Sequence, residues 1–243
     1  MDAGTIDEQV VIPGRFNGPP ASANGGYSCG MAANLIGTGP VEVTLRSPPP
    51  LDTPVNVERD AGTVRLLNGD QLVAEASPVT GVDVEVPEPV TPGIAHAASA
   101  GYPWYDDHPF PTCFVCGPRR PNHDGLAIYA GHVEGRDVYA CDWTPGGEWD
   151  RGDGLVPPEI VWAALDCPSA VAAAGLEDAE PRPAVLARLA ASIDEAPAVG
   201  EPHAVISWPI VVEGRKRQAG SAVIDSAGRV RAHAHALWIE LRR

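Results

Sequence analysis

The sequence predicts an α+β fold of two similar units, each an antiparallel sheet wrapped around one apolar helix. Three observations lead there. An apolar helical segment occurs twice, from Asn24 to about Ile36 and from Pro158 to about Ala174. Strand-like segments follow each copy. A proline-rich stretch, 77–111, separates the two sets. A helix that is apolar on nearly every face must be buried on nearly every face. A connection this long is unusual inside one compact domain and suits a join between structural repeats. The units are expected at 1–95 and 112–243, with a linker at 96–111.

In the first unit, Val10 to Phe16 reads as a short strand, and Asn17 to Ala21 as a turn. Helix-start chemistry at Ser22-Ala23-Asn24 opens the first helix, and Gly37 and Gly39 stop it. Val41–Arg46 alternates as a strand does. Further strands are expected at Val55–Arg59, Thr63–Leu67 and Gln71–Ala76, the last two joined by the hairpin signal Asn68-Gly69-Asp70. Residues 77–111 are expected to cross the surface as a connection, partly ordered by Tyr102, Trp104 and Tyr105.

The second unit opens with Cys113-Phe114-Val115-Cys116-Gly117, then strands near Leu126–Val133 and Asp137–Trp143. Pro157 and Pro158 suit a helix start, where a missing N–H costs nothing. Strands are expected at Val185–Ile193, Ala204–Val212, Gln218–Asp225 and Val230–Leu241, with Ser226-Ala227-Gly228 turning the last hairpin.

A formal net charge of −15 over 243 residues argues against nucleic acid and against an anionic membrane surface as partners. A small anionic ligand held by a few arginines remains compatible with it. No run is long enough to span a membrane, and no N-terminal stretch reads as a signal peptide. Five scattered cysteines in such a chain lead to the expectation of reduced thiols in the cytoplasm.

Two motifs carry a resemblance. Cys113-Phe114-Val115-Cys116-Gly117-Pro118, followed by Pro121-Asn122 and Gly125-Leu126, resembles the opening of hotdog-fold acyl-CoA thioesterase-like proteins. Asn24-Gly25-Gly26-Tyr27 resembles the Gly-Gly helix start of the same superfamily. A common pattern there places a carboxylate seven residues after the second glycine. Seven residues after Gly26 stands Ala33, so the first copy lacks it. Seven residues after Glu159 stands Asp166, where Pro158-Glu159 replaces the glycine pair. The resemblance implies two fused hotdog units, a pseudo-dimer with one working site at their interface. That site would combine Asn24, Gly25 and Gly26 with Asp166. The pairing of Glu159 with Ala33 would be degenerate.

The implied activity is thioester hydrolysis. A helix N-terminus offers unpaired N–H groups and partial positive charge. The N–H of Gly25 or Gly26 would hold the thioester oxygen, most strongly as it becomes an oxyanion. Asp166 would act as general base or as nucleophile. Asn24 would cap the helix or bond the substrate carbonyl. Tyr27, Glu159, Trp162, Arg119 and Arg120 are the expected substrate-binding residues. The two arginines, with Arg215, Lys216 and Arg217, are the candidates for coenzyme A phosphates. The substrate would be a small acyl thioester, with no cofactor, and a homodimer is compatible because hotdog sheets often pair.

Plainer readings stand beside these. Asn24-Gly25-Gly26 also reads as an N-cap and a tight turn. An aspartate in an apolar helix needs a partner, and a salt bridge to an arginine such as Arg188 would supply one. Glu159 reads first as a favourable charge at a helix start. Cys113 and Cys116 have the spacing of half a zinc site, which His108, His123 or Cys141 would complete. No second pair stands at a recognised spacing, so no metal is expected. His233 and His235 share one strand face and read as packing. The alternative function is a hotdog protein that binds an acyl thioester or another apolar ligand without hydrolysing it, and a zinc-stabilised scaffold is a third. An Asp166 free of arginine favours the enzyme; one locked to arginine favours the binder.

Overall fold

The computed structural model describes residues 8–122, 124–175 and 184–241. In chain order the elements are β1 (Gln9–Val10), α1 (Gly25–Asn34), β2 (Val41–Leu45), β3 (Val55–Asp60), β4 (Thr63–Asn68) and β5 (Gln71–Pro78). Then follow α2 (Pro92–Ser99), β6 (Gly131–His132), β7 (Tyr139–Trp143), α3 (Pro158–Ala174), β8 (Ala184–Ile193), β9 (His203–Glu213), β10 (Lys216–Asp225) and β11 (Val230–Glu240).

All described strands join one antiparallel sheet in the order β1-β3-β4-β5-β2-β8-β11-β10-β9-β7-β6. The order repeats about its middle. From one edge it runs first, third, fourth, fifth and second strand around α1. From the other, after β6, it runs β7, β9, β10, β11 and β8 around α3. The blocks meet where β2 pairs with β8, Val41 opposite Ala191 through Thr44 opposite Arg188.

Both helices are packed against each other and against the sheet. Small residues let them approach. A Cβ on Gly26 would fall on Asp166 and lie 2.6 Å from the Trp162 carbonyl oxygen, and one on Gly30 would lie 2.5 Å from Glu159 Cα. Gly26 therefore sits against the middle of α3 and Gly30 nearer its start, so the helices run in opposing directions. Inside α3, Pro168 removes the N–H that would bond the Ala164 carbonyl. Hydroxyls pin this stretch: Ser221 donates to the Leu165 carbonyl at 2.7 Å, Ser169 to that of Asp166 at 2.6 Å, and Ser207 to that of Pro168 at 2.7 Å.

The structure corrects three expectations. The 77–111 stretch is more than a surface connection. It contains α2, where Pro92 occupies the first turn and the Thr91 hydroxyl accepts from the Ile94 N–H. This helix buries Ala95 and Ala98 against β7 and β9. Along β9, Ala204, Ile206 and Trp208 join α2's cluster, while Val205 joins the main core and Ser207 bonds α3. Since alternate residues face opposite ways, α2 and α3 cover opposite faces of the sheet. Both faces being covered explains why 203–208 is buried without alternation.

The expected strand at Val10–Phe16 pairs only at Gln9–Val10, because Pro13 interrupts it and a 3₁₀ turn follows at Gly14–Phe16. Of Leu126–Val133 only Gly131–His132 joins the sheet. The preceding residues bond elsewhere, Leu126 N–H to the Phe114 carbonyl at 2.9 Å and Ile128 N–H to that of Val115 at 3.0 Å. Among the described residues no helix is long and apolar enough to cross a membrane.

Candidate active site

Asn24 caps α1: its Oδ1 accepts from the Tyr27 N–H at 2.9 Å. Its Nδ2 donates to Asp166 Oδ2 at 2.8 Å, and the Gly26 N–H donates to the same oxygen at 2.9 Å. The structure thus brings together the four residues expected to carry the chemistry, with one reassignment. The Gly26 N–H is spent on Asp166 and cannot hold a substrate oxygen at the same time. The Gly25 N–H has no hydrogen-bond partner among the described residues.

Asp166 is 2 % exposed, and among the described residues it has no arginine against it and Oδ1 has no partner. Burial pushes its carboxyl up to about 7, the nearby Cys113 adds to this, and the bonds from Gly26 and Asn24 pull the other way. Arg188, the alternative partner, pairs instead with Glu42 at 3.4 Å on the adjoining strand.

Asn24, Gly25 and Asp166 line a cavity of about 830 Å³, within the range of small-molecule sites. Its walls are mainly apolar. They come from β8 and β11 (Leu186, Trp238), from the end of α3, from Pro48 and Pro49, and from Trp104 and Phe110. His108 and Pro109 also line it, so a segment that the sequence placed in the linker closes one side.

Three buried thiols share the same wall: Cys113, Cys116 and Cys167, their sulfurs within 4.8 Å of one another. Asn24 Nδ2 lies 3.9 Å from Cys113 Sγ and 3.7 Å from Cys167 Sγ. Hydrogen bonds from the neighbouring thiols, and from the Cys116 and Val115 N–H groups, hold the Cys113 thiol well below its usual range. Cys116 and Cys167 are pushed up. Sequence reasoning missed Cys167. The signal was its place directly after Asp166, on the helix face that any half-site near Asp166 would meet.

The remaining expected site residues lie elsewhere. Tyr27 stacks on Phe16 with ring centres 3.9 Å apart and meets Phe114 edge-on, so it belongs to the core, where burial raises its phenol to about 12. Trp162 is buried in the α1–α3 crossing. Glu159 is 2 % exposed, accepts from Asn34 Nδ2 at 2.9 Å and pairs with Arg151. None of the three lines the cavity.

The arginines proposed for phosphates are also displaced. Arg120 donates to Asp124, to Asn17 Oδ1 and to the carbonyls of Thr112 and Arg15. Arg119 donates to the Asp106 carbonyl. Both lie outside the lining, where they fasten the loops around the thiol turn. Arg217 does line the cavity but is paired with Glu240 and bonds the carbonyls of Ala173 and Ala174. Arg215 donates to the Glu240 carbonyl. Of the residues considered for zinc, His123 lies outside the described residues, and Cys141 packs in the core away from the trio. His235 bonds Gln218 at 2.8 Å.

No family model matches the sequence, and no curated protein does. Solved structures do match. One, described as a candidate thioesterase from Novosphingobium aromaticivorans, is 13% identical with a TM-score of 0.62, covering 96% of this chain and 95% of its own. A candidate thioesterase II from Thermobifida fusca is 14% identical with a TM-score of 0.60, covering 100% of this chain and 95% of its own. A protein of unknown function with a hot dog fold from Alicyclobacillus acidocaldarius is 10% identical with a TM-score of 0.53, over 97% of this chain and 93% of its own. Likeness at this identity speaks for architecture, and the architecture is the one the sheet order shows: the chain has the hotdog fold.

Proposed function

We propose that the chain is an acyl-thioester hydrolase built of two fused hotdog units, with one working site between them. The observation that carries this is the state of Asp166. One carboxylate oxygen is fixed by two N–H donors from the facing unit, and the other has no partner among the described residues at the wall of an apolar cavity. A carboxylate kept only for packing would have both oxygens satisfied.

In the proposed reaction the acyl chain lies in the cavity with its thioester carbonyl at the start of α1. Asp166 Oδ1 takes a proton from water as the water oxygen attacks the carbonyl carbon. The Gly25 N–H bonds the oxygen that gains negative charge, where an unpaired donor at a helix start is most effective. The C–S bond then breaks, and the leaving thiolate receives the proton held by Asp166. The products are a carboxylic acid and a thiol. Asn24 and the Gly26 N–H act through Asp166 by holding Oδ2, which leaves Oδ1 for water.

The test is hydrolysis of short, medium, long and aromatic acyl-coenzyme A esters, with Asp166→Ala beside the wild type. Turnover that vanishes in the variant is expected. No turnover on any ester, with saturable binding of one of them, would replace the hydrolase with the ligand-binding reading.

A further inference from the structure

We propose that Cys113, Cys116 and Cys167 form a zinc site with three thiolate ligands and a fourth position open to the cavity. Cys113 and Cys116 sit on a turn closed by the Gly117 N–H bonding the Cys113 carbonyl at 2.9 Å. A side chain on Gly117 would run into the Cys113 backbone, 2.7 Å from the Pro111 carbonyl oxygen. Cys167 comes from α3, 54 residues beyond Cys113. The fold alone therefore assembles the trio.

The sulfur spacing suits a tetrahedral site. Zinc–thiolate bonds of about 2.3 Å at tetrahedral angles separate sulfurs by about 3.8 Å. Cys113 and Cys167 Sγ are 3.7 Å apart, and all three sulfurs lie within 4.8 Å of one another. Soft thiolates in a buried, tetrahedral setting select zinc over the oxygen-loving cations.

A side-chain donor faces the sulfurs: the Asn24 amide Nδ2 lies 3.9 Å from Cys113 Sγ and 3.7 Å from Cys167 Sγ. Outer donors of this kind orient and stabilise metal ligands. Small buried cysteines kept only for packing would not need one. A further polar atom beside the trio, Asp166 Oδ1, is buried without a partner among the described residues, and an orphaned group of this kind calls for a water or an ion.

His108 is not the fourth ligand. Its Nδ1 accepts from the Phe110 N–H at 2.8 Å, so in the neutral ring Nε2 carries the proton and has no lone pair to give. Among the described residues no fourth ligand joins the trio, and the cavity that Cys113, Cys116 and Cys167 all line offers that corner to water. The metal would fasten the 113–116 turn to α3 one residue from Asp166, whether or not the chain hydrolyses thioesters.

The full chain, purified without chelator from zinc-supplemented cells, should carry about one zinc per chain by elemental analysis. Replacing zinc with cobalt should give the intense absorption of thiolate-to-cobalt charge transfer. A mercurial reagent should release the zinc as it titrates the thiols. Cys113→Ser, Cys116→Ser and Cys167→Ser should each weaken zinc binding at least about tenfold, while Cys141→Ala retains it. The cobalt and release experiments use the wild type, so they decide even if the variants fail to fold. Folded wild type with no zinc and no cobalt–thiolate band would overturn the proposal. So would a Cys113–Cys167 disulfide in the protein as isolated, or full zinc in the triple serine variant.

Discussion

The crossing of α1 and α3 has two ends built from the same parts and put to different use. At one end an amide, Asn24, precedes α1 and a carboxylate, Asp166, faces it from α3. At the other, a carboxylate, Glu159, stands in the first turn of α3 and an amide, Asn34, faces it from α1. Both carboxylates are 2 % exposed. Glu159 is neutralised by Arg151, and none of its oxygens is left unbonded. Among the described residues Asp166 meets no cation, and it keeps one oxygen unpartnered at a cavity. Burial alone therefore does not mark the reactive group. The distinguishing feature is which carboxylate the fold declines to satisfy.

The sharpest way to break the comparison is to remove each carboxylate's charge in turn. Asp166→Asn keeps the shape and an acceptor for the Gly26 N–H but loses the base. Thioester turnover should fall by about 10³-fold, the usual worth of a positioned general base. Glu159→Gln should leave turnover unchanged. Steady-state kinetics on the best ester from the panel checks both, and equal losses would show that the two ends are not functionally distinct.

The next largest effect is on packing. Gly26→Ala puts a methyl group onto Asp166, and Gly30→Ala puts one 2.5 Å from Glu159 Cα. Overpacking of this kind costs about 1–3 kcal/mol, so urea unfolding should show similar destabilisation for both. Turnover per folded molecule should fall only in Gly26→Ala, because only there does the displaced side chain hold the reacting oxygen.

How much of this was legible in the sequence follows from the range of the interactions involved. The two apolar helices and most strands announce themselves locally, through caps, alternation and the Asn68-Gly69-Asp70 turn. Asp166 stood out as an aspartate in an otherwise apolar helix, and the resemblance to hotdog proteins implied its role through the seven-residue step from Glu159. By contrast, α2 was hidden because the proline content of 77–111 outweighed the Thr91-Pro92 helix start, and its stability comes from burying Ala95 and Ala98 on a sheet face formed far along the chain. Leu126–Ile128 has strand composition but finds its partners in the 114–115 segment. The occupation of the Gly26 N–H, the bonds that tie Arg120 to loop carbonyls and the meeting of Cys167 with Cys113 are all consequences of tertiary approach. No spacing rule reports them.

Smaller effects test why Glu159 is tolerated. Arg151→Ala leaves a buried carboxylate with Asn34 alone. Breaking a fully buried pair costs about 3–5 kcal/mol. The Arg151 side chain is 65% exposed, so solvent already screens the pair, and a loss of about 1–2 kcal/mol is expected in urea unfolding. Turnover should not change.

The smallest effect is expected from the double variant Arg151→Ala, Glu159→Gln. A lone buried charge is costly because nothing replaces its hydration, whereas a neutral amide at the same place loses far less. The introduced amide oxygen can still accept from Asn34 Nδ2, the neutral donor that Glu159 meets at this end among the described residues. The double variant should therefore unfold within about 1 kcal/mol of the wild type, more stable than Arg151→Ala by itself. If it is instead as unstable as the single variant, Arg151 contributes through packing of its stem and not through its charge. Glu159 would then be a buried carboxylate tolerated without its cation, and the contrast with Asp166 would rest on the unpartnered oxygen and the cavity alone.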